Sequence, residues 1–591
     1  MKKKHEISDL RYFRKFSGAA VFVFSFLWFY HPGEYVLIAN QDNSLFITSF
    51  KYFNSFLDHP GGIIEYAGIF ISQFLRFRLI GAIIISGLVT LSYFAVCYMS
   101  FRISDNKQIY IIGILTPILL IGMHNHYPHQ VSHSLGFIII MLTALLIPVD
   151  KVKKRIFLVL SLPVIYFICG GYLWLFAAVI LTEHYVRYKK IDIKLITLII
   201  GYSFVLIILA AKFVFLYPVK ELLIRPFPYE QQYGIKLLQY IFVLWIILLP
   251  WLMEVLNKWK ILKTKWGFSP VTVLSLLGAF LILNFTYKKK NDEFFIIEKF
   301  AIKEEWDNLL KYADKHPSMN LLGSFYTNIA MANKGLLCSR LFNYPQPFGK
   351  RGLCFEWAAK KLILKSGSDF FWTINFVNEA HHWAFESFIV EGFTARNLKR
   401  LIQTELVRGN YKVAAKYINM LDRTLFDKST ADHYRKFLNN RDAIEKDPEL
   451  GPRININISM DFFADGIDLE KNLRPLLAND LSNCPAFDYL MALLLLDKQV
   501  DEIAKLLPSY LELNNGKMPS LLDESLLIFK ATHRINKLQD VMVSQNTRLR
   551  FDNYITILGL YKDQKEAARA LYPSYKNSFW FYMNFSSLPK Q

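Results

Sequence analysis

The sequence predicts an all-α protein: a polytopic membrane bundle of about nine spanning helices, followed by an α-solenoid-like, tetratricopeptide-like soluble domain. Three observations predict it. Of the 591 residues 53% are hydrophobic, with 50 Phe and 32 Tyr, and the mean hydropathy is +0.23, so part of the chain must face lipid. The apolar residues gather into runs long enough to cross a hydrocarbon core, all of them before residue 290. Lys and Arg are sorted between alternate loops, as they are in membrane proteins with a fixed orientation.

The first run follows MKKKHEISDLRYFRK. Basic residues ahead of an apolar stretch resemble a signal sequence, but aromatics fill the stretch and no small-residue cleavage site follows, so an uncleaved span over 17–36 is expected. Eight more candidates lie at 79–99, 109–123, 132–149, 156–169, 171–186, 195–216, 235–256 and 268–286. Gly170–Gly171 is either a tight turn or a break within one helix. Nine spans leave loops 1–15, 101–108, 150–155, 183–194 and 257–266 on one side, holding twenty Lys or Arg against six acids. The opposite loops 37–78, 124–131 and 217–234 hold only Lys51, Arg76, Arg78, Lys220 and Arg225. Retention of basic loops in the cytoplasm puts the N-terminus inside and everything after the last span outside. Lys288, Lys289 and Lys290 are the one dissent. Much of the net charge of +20 is thus an orientation signal, and no nucleic-acid partner is expected.

Two stretches between spans carry more chemistry than a connector needs. In the loop 37–78, NSLFITSFKYFNSFL (43–57) has polar Ser44, Thr48, Lys51 and Ser55 at helical spacing. In GIIEYAGIFISQFLR, Glu65, Gly68, Ser72 and Arg76 form a narrow polar stripe on an apolar helix. A broad apolar face with a narrow polar one predicts two helices lying in the membrane interface, joined by the turn DHPGG. Phe46, Phe53 and Phe74 are then covered, and Ser72 is reachable from outside. MHNHYPHQVSHSL places His124, His126, His129 and His133 at an outer edge, where His129 and His133, four apart, are spaced to share a zinc- or manganese-type ion or to line a polar cavity. In YPVKELLIRPFPYEQQYG, Arg225 is placed either to meet a phosphate at headgroup level or to snorkel from a helix end.

From about 291 to 591 the pattern becomes that of a water-soluble helical domain. WDNLLKYADKHPSMNLLGSFYTNIAMANKG reads as two helices broken at Pro317, and FDYLMALLLLDKQVDEIAKLLPSYLELN as another pair. TARNLKRLIQTELVRGNYKVAAKYINMLDRTLF pairs two periodic faces about Gly409–Asn410. Its Gly409, Tyr411, Ala414, Ala415 and Tyr417 resemble the turn and small-residue packing of a tetratricopeptide hairpin. Cys338 and Cys354 are a possible disulfide in an outer domain, with Cys484 left over. His381, His382, Trp383 and Glu386 read as packed or solvated helix positions rather than a site.

The acid after the first span in ANQDNSLF, followed by helices along the membrane, resembles the first outer loop of the GT-C class of polyprenyl-phosphate-dependent glycosyltransferases, over about residues 1–290. The resemblance implies Asp42, with Asp58 second, as a general base or as the holder of a divalent metal against a lipid-linked phosphate. Asp42 equally suits a helix N-cap, and Asp58 an ordinary turn. PGGIIEYAGIFISQF and AHHWAFESFIVEGFTARNLKRLIQTELVRGNYKVAAKYINMLDRTLF are similar to an uncharacterised family of polytopic membrane proteins from Bacteroides-type bacteria, which implies a bacterial inner-membrane location but no reaction. Two function classes remain open. One is sugar transfer from a polyprenyl-phosphate donor in cell-envelope glycan biogenesis. The other is a non-catalytic scaffold whose helical-repeat domain binds a protein partner. A carboxylate pair facing a lipid-accessible cavity would favour the first.

Overall fold

The computed structural model describes residues 2–41, 45–103, 113–126, 129–148, 150–227, 236–258, 268–454, 464, 468–532 and 541–586. Every element there is helical, and no strand forms among the described residues. The chain divides into two compact units, 1–292 with 423–425, and 293–422 with 426–591.

In the first unit α1 (Lys2–Tyr30) and α2 (Glu34–Gln41) are separated by His31–Pro32–Gly33, where the axis bends by 72°. Proline has no N–H to continue the ladder and clashes with the preceding turn, which accounts for the bend. Then come α3 (Phe50–Ser55), α4 (Gly62–Gln73), α5 (Arg78–Ile103), α6 (Leu115–His124), α7 (Val131–Leu145), α8 (Lys151–Cys169), α9 (Tyr172–Tyr188), α10 (Ile193–Phe213, with a π turn at Thr197–Gly201), α11 (Val219–Leu222), α12 (Lys236–Lys258) and α13 (Phe268–Thr286). Each of the nine predicted segments falls on a helix.

Three of these helices, within Arg78–Ser100, Ile193–Phe213 and Leu237–Val255, are long and apolar enough to cross a membrane, or four if the bent pair α1–α2 counts as one. The shortfall from nine has a physical reason. Helix α6 has ten residues and α7 fifteen, and α6 is buried from Thr116 to His124. Apolar runs of this length describe a helix packed inside a bundle as well as one facing lipid, and composition alone does not separate the two. Helix α10, by contrast, leaves Phe204, Val205, Ile208 and Leu209 exposed.

In the loop 37–78 one expectation fails, the outward exposure of Ser72. Helix α3 spans six residues with none buried, while α4 turns its small and polar residues inward. A Cβ on Gly68 would lie 2.7 Å from Ser132 Cβ, and one on Gly136 would lie 2.7 Å from Tyr172 Cε2. Ser72, expected to face outward, is buried with its hydroxyl donating to Gly68 O at 2.8 Å. Small residues four apart, Gly68 and Ser72 on α4 and Ser132 and Gly136 on α7, let the two backbones approach closely, the rule for helices packed in lipid. Phe46 is buried as expected, whereas Phe53 and Phe74 are half-buried.

Buried Asn125 ties the beginning of this unit to its end. Trp28 Nε1 donates to its Oδ1 at 2.8 Å, Tyr35 Oη donates to its carbonyl at 2.5 Å, and its Nδ2 donates to Thr286 Oγ1 at 3.0 Å. One amide thus satisfies groups on α1, α2 and α13.

In the second unit consecutive helices pack on one another from Lys361–Thr373 through Lys428–Arg435, and again from Leu469–Asn479 through Phe579–Phe585. Leu321–Asn333 and Leu337–Arg340 pack against Cys484–Leu496, joining the early and late runs. Pro317 lies between Trp306–Lys315 and Leu321–Asn333, and Gly409 (φ +77°) makes the turn before Tyr411–Asp422. Cys338 and Cys354 are free: the first thiol faces Asp488 and the second the Phe355 carbonyl. His381 lies 3.0 Å from Thr404 Oγ1 and His382 is half-exposed, so neither enters a site. Buried charge is paired: Arg396 and Arg400 both reach Asp369, and Lys365 reaches Glu391 at 3.2 Å.

The last helix docks through Glu524, whose carboxylate accepts the Phe579 amide at 2.7 Å and lies 3.2 Å from Arg550. Burial pushes this carboxyl up to about 7. A carboxyl that holds its proton in the folded state but releases it near 4.5 when unfolded stabilises the fold at low pH, and that contribution is lost as pH rises toward 7. Glu524→Gln mimics the protonated form. In thermal unfolding of the full-length protein the variant should match wild type at pH 5 and exceed it by several degrees at pH 8.

Candidate functional site

Three backbone turns of the first unit come together, two of them carrying the glycines that make the approach possible. The turn Leu57–Gly61 opens α4, Gly170–Gly171 separates α8 from α9, and 223–227 follows α11. Gly61 (φ +84°) donates to Phe167 O at 3.1 Å, and a Cβ there would lie 2.8 Å from Pro226 Cδ. Gly170 has φ +59°, and the Gly171 amide donates to Arg225 O at 2.5 Å. A Cβ on Gly171 would sit 2.5 Å from Ile224 O. Gly170–Gly171 is therefore a turn, not a break in one helix, and it clasps the Arg225 segment. Side chains reinforce the clasp: Tyr166 Oη donates to Leu222 O at 3.2 Å, and Trp174 Nε1 to Leu223 O at 3.0 Å.

Beside the clasp lies a half-open cavity of about 290 Å³ lined by His59, Glu65, Glu221, Ile224, Arg225, Pro226 and Phe227. His59 Nε2 lies 2.9 Å from Glu65 Oε2. With Glu65 ionised this nitrogen must carry the proton, which leaves Nδ1 as the atom free to accept one. Arg225 Nε lies 4.0 Å from Glu221, and its guanidinium sits 4.2 Å over the Tyr217 ring. The wall thus carries one cation and two carboxylates, with an imidazole braced on one of the carboxylates. Such a set can hold an anion, orient hydroxyls and accept a proton.

Behind the wall Phe227 is packed between His133, its ring nearly parallel at 5.7 Å, and Tyr172 at 4.5 Å. His133 Nδ1 lies 3.2 Å from Tyr172 Oη. His129 Nε2 and His124 Nε2 share Ser134 Oγ at 3.2 and 2.9 Å. His129 and His133 are neighbours, their rings 5.6 Å apart, but each turns a nitrogen toward a hydroxyl. No three His, Cys, Asp or Glu side chains among the described residues converge to hold a metal.

Of the other residues singled out in the sequence, Arg225 lines the cavity. Asp58 is exposed in the turn and does not, and Asp42 lies outside the described residues. Sequence reasoning missed Glu65, Glu221 and His59 as cavity residues. A signal was present: two Gly-Gly pairs, in PGG and CGG, and a Glu four residues before Arg225.

The structure thus defines a chain that is all-helical among the described residues, with membrane-length helices and a half-open cavity lined by charged side chains. The chain belongs to a family of unknown function, DUF6057, whose model matches residues 10–586. No curated protein and no solved structure matches it.

The clasp is testable through Cys169, a free thiol buried beside the turn. In Gly171→Val the new side chain collides with Ile224 O, and the segment must move. Maleimide labelling of Cys169 in the folded, detergent-solubilised protein should rise at least about tenfold, the change expected if local opening becomes easier by roughly 1.4 kcal/mol. Gly87→Ala, where a Cβ meets nothing within 4 Å, should leave labelling unchanged.

Proposed function

We propose that the protein is an integral membrane protein of the bacterial inner membrane that transfers a sugar from a polyprenyl-phosphate donor, in the manner of GT-C enzymes. The observation that carries this reading is the cavity that Arg225 lines together with Glu65 and Glu221, with His59 bonded to Glu65. Exposed apolar side chains along α10 and α12, among them Phe204, Ile208, Leu244 and Leu248, support lipid around this unit. Arg225 holds the donor phosphate. His59, oriented by Glu65, takes the proton of an acceptor hydroxyl as its oxygen bonds to the anomeric carbon, while the bond from that carbon to the phosphate oxygen breaks. The charge left on the polyprenyl phosphate faces the guanidinium. Asp42 remains a proposed second carboxylate on the same loop, with Asp58 as a lesser one, and no step here runs through a metal.

In this reading the nine helical segments all lie in or across the membrane, the shorter ones shielded by their neighbours. The N-terminus is cytoplasmic and the second unit is an extracytoplasmic helical-repeat domain. A second reading is a non-catalytic scaffold that docks a protein partner on that domain. It is favoured by Phe385, Ile389 and Val390, exposed together at the end of Val377–Glu391.

Two measurements test the proposal. Farnesyl phosphate should bind the detergent-solubilised protein saturably, and Arg225→Gln should weaken it by about tenfold or more, the loss expected for a charge-assisted contact. Glu65→Gln should keep that binding. Absence of binding by the wild type would leave the scaffold. Separately, reporter fusions after residue 290 should read extracytoplasmic and fusions at 150–155 cytoplasmic, and a cytoplasmic reporter after residue 290 would overturn the orientation.

A further inference from the structure

We infer that Tyr217 is the positioning residue of the cavity, an aromatic platform that presents both Arg225 and His59. The inference rests on the phosphate-binding reading above. Tyr217 stands outside the lining, eight residues before Arg225, and is half-buried. Its ring face carries the Arg225 guanidinium at 4.2 Å, and the His59 ring meets it edge-on at 6.4 Å. The two cavity residues come from segments more than 150 positions apart, and this ring touches both.

The other restraints on Arg225 are weak. Its ion pair with Glu221 is 4.0 Å long, and both side chains are a third or more exposed, a geometry in which water screens most of the attraction. A guanidinium lying flat on an aromatic face keeps its edge N–H groups directed outward, available to a phosphate oxygen. Glu65 anchors one nitrogen of His59, yet a single hydrogen bond leaves the ring free to swing about it. The Tyr217 edge limits that swing. The ring, not the phenol hydroxyl, therefore carries the function, so Phe should replace Tyr217 and an aliphatic residue should not.

The test is a double-mutant cycle in full-length, detergent-solubilised protein with farnesyl phosphate as the probe. Tyr217→Phe should bind as wild type, and Tyr217→Leu should bind about three- to tenfold more weakly. Arg225→Gln should cost distinctly less in the Tyr217→Leu background than in wild type, because the platform has already been removed. Equal binding by the Phe and Leu variants, or strict additivity, would overturn the inference. The same cycle read by thermal unfolding without the probe separates this from failure of the phosphate reading. If wild type does not bind farnesyl phosphate, non-additive melting temperatures for Tyr217→Leu and Arg225→Gln still support the platform, and additive ones reject it.

Discussion

The hydrogen bond from the Gly171 amide to the Arg225 carbonyl holds the first unit's cavity in place. It is a contact between backbones, and it exists only because neither Gly170 nor Gly171 has a side chain to keep the segments apart. Gly61 makes the third approach, letting the turn ahead of α4 lie against Pro226. Given that clasp, the rest of the site follows. Glu65 sits one turn into α4, Glu221 and Arg225 straddle the end of α11, and Phe227 is driven between His133 and Tyr172. Backbone contact of this kind is stiff, since no rotamer can relax it, and it suits a site whose charged groups are otherwise only loosely paired.

The same economy of side chains governs helix packing. Helices α4 and α7 meet through Gly68, Ser72, Ser132 and Gly136, while bulkier residues such as Phe70 point away. Close approach strengthens dispersion between the two helices, and small residues permit it. In the second unit long apolar side chains form the core, and buried charges are matched, as Asp369 is by Arg396 and Arg400. Burial alone would raise the Asp369 carboxyl, but the two guanidiniums hold it below the usual carboxylate range. Two packing regimes thus coexist in one chain.

Much of the fold was legible in the sequence because helical periodicity is local. The apolar runs, the Pro317 break, the Gly409 turn and the helix pairs around them all depend on residues within a few turns of one another. What the sequence hid was which face each helix would bury. The stripe of Glu65, Gly68 and Ser72 reads as a polar face toward water, yet Gly68 lies close against Ser132 of α7 and Ser72 is buried, because in this packing small size outweighs polarity. The site was legible only in part for a related reason. Arg225 stood out as a cation set between bulky apolar residues and two prolines. Glu65 and Glu221 are 156 positions apart, and nothing local pairs them. The Gly-Gly pairs that bring their segments together pass for ordinary turn residues until their partners are known.

Asn125 carries a consequence in time as well as in space. Its side chain accepts from Trp28 and donates to Thr286, so the amide spans nearly the whole first unit. During synthesis the Trp28 bond is possible as soon as α6 is made, but the Thr286 partner emerges some 160 residues later. Until then a buried amide donor has no protein acceptor, a state that costs free energy in an apolar surrounding. The arrival of α13 removes that cost and closes the ring of helices from first to last. Assembly of this unit is therefore biased toward completion: the intermediate that lacks its final helix is penalised at one identifiable atom, the Asn125 Nδ2.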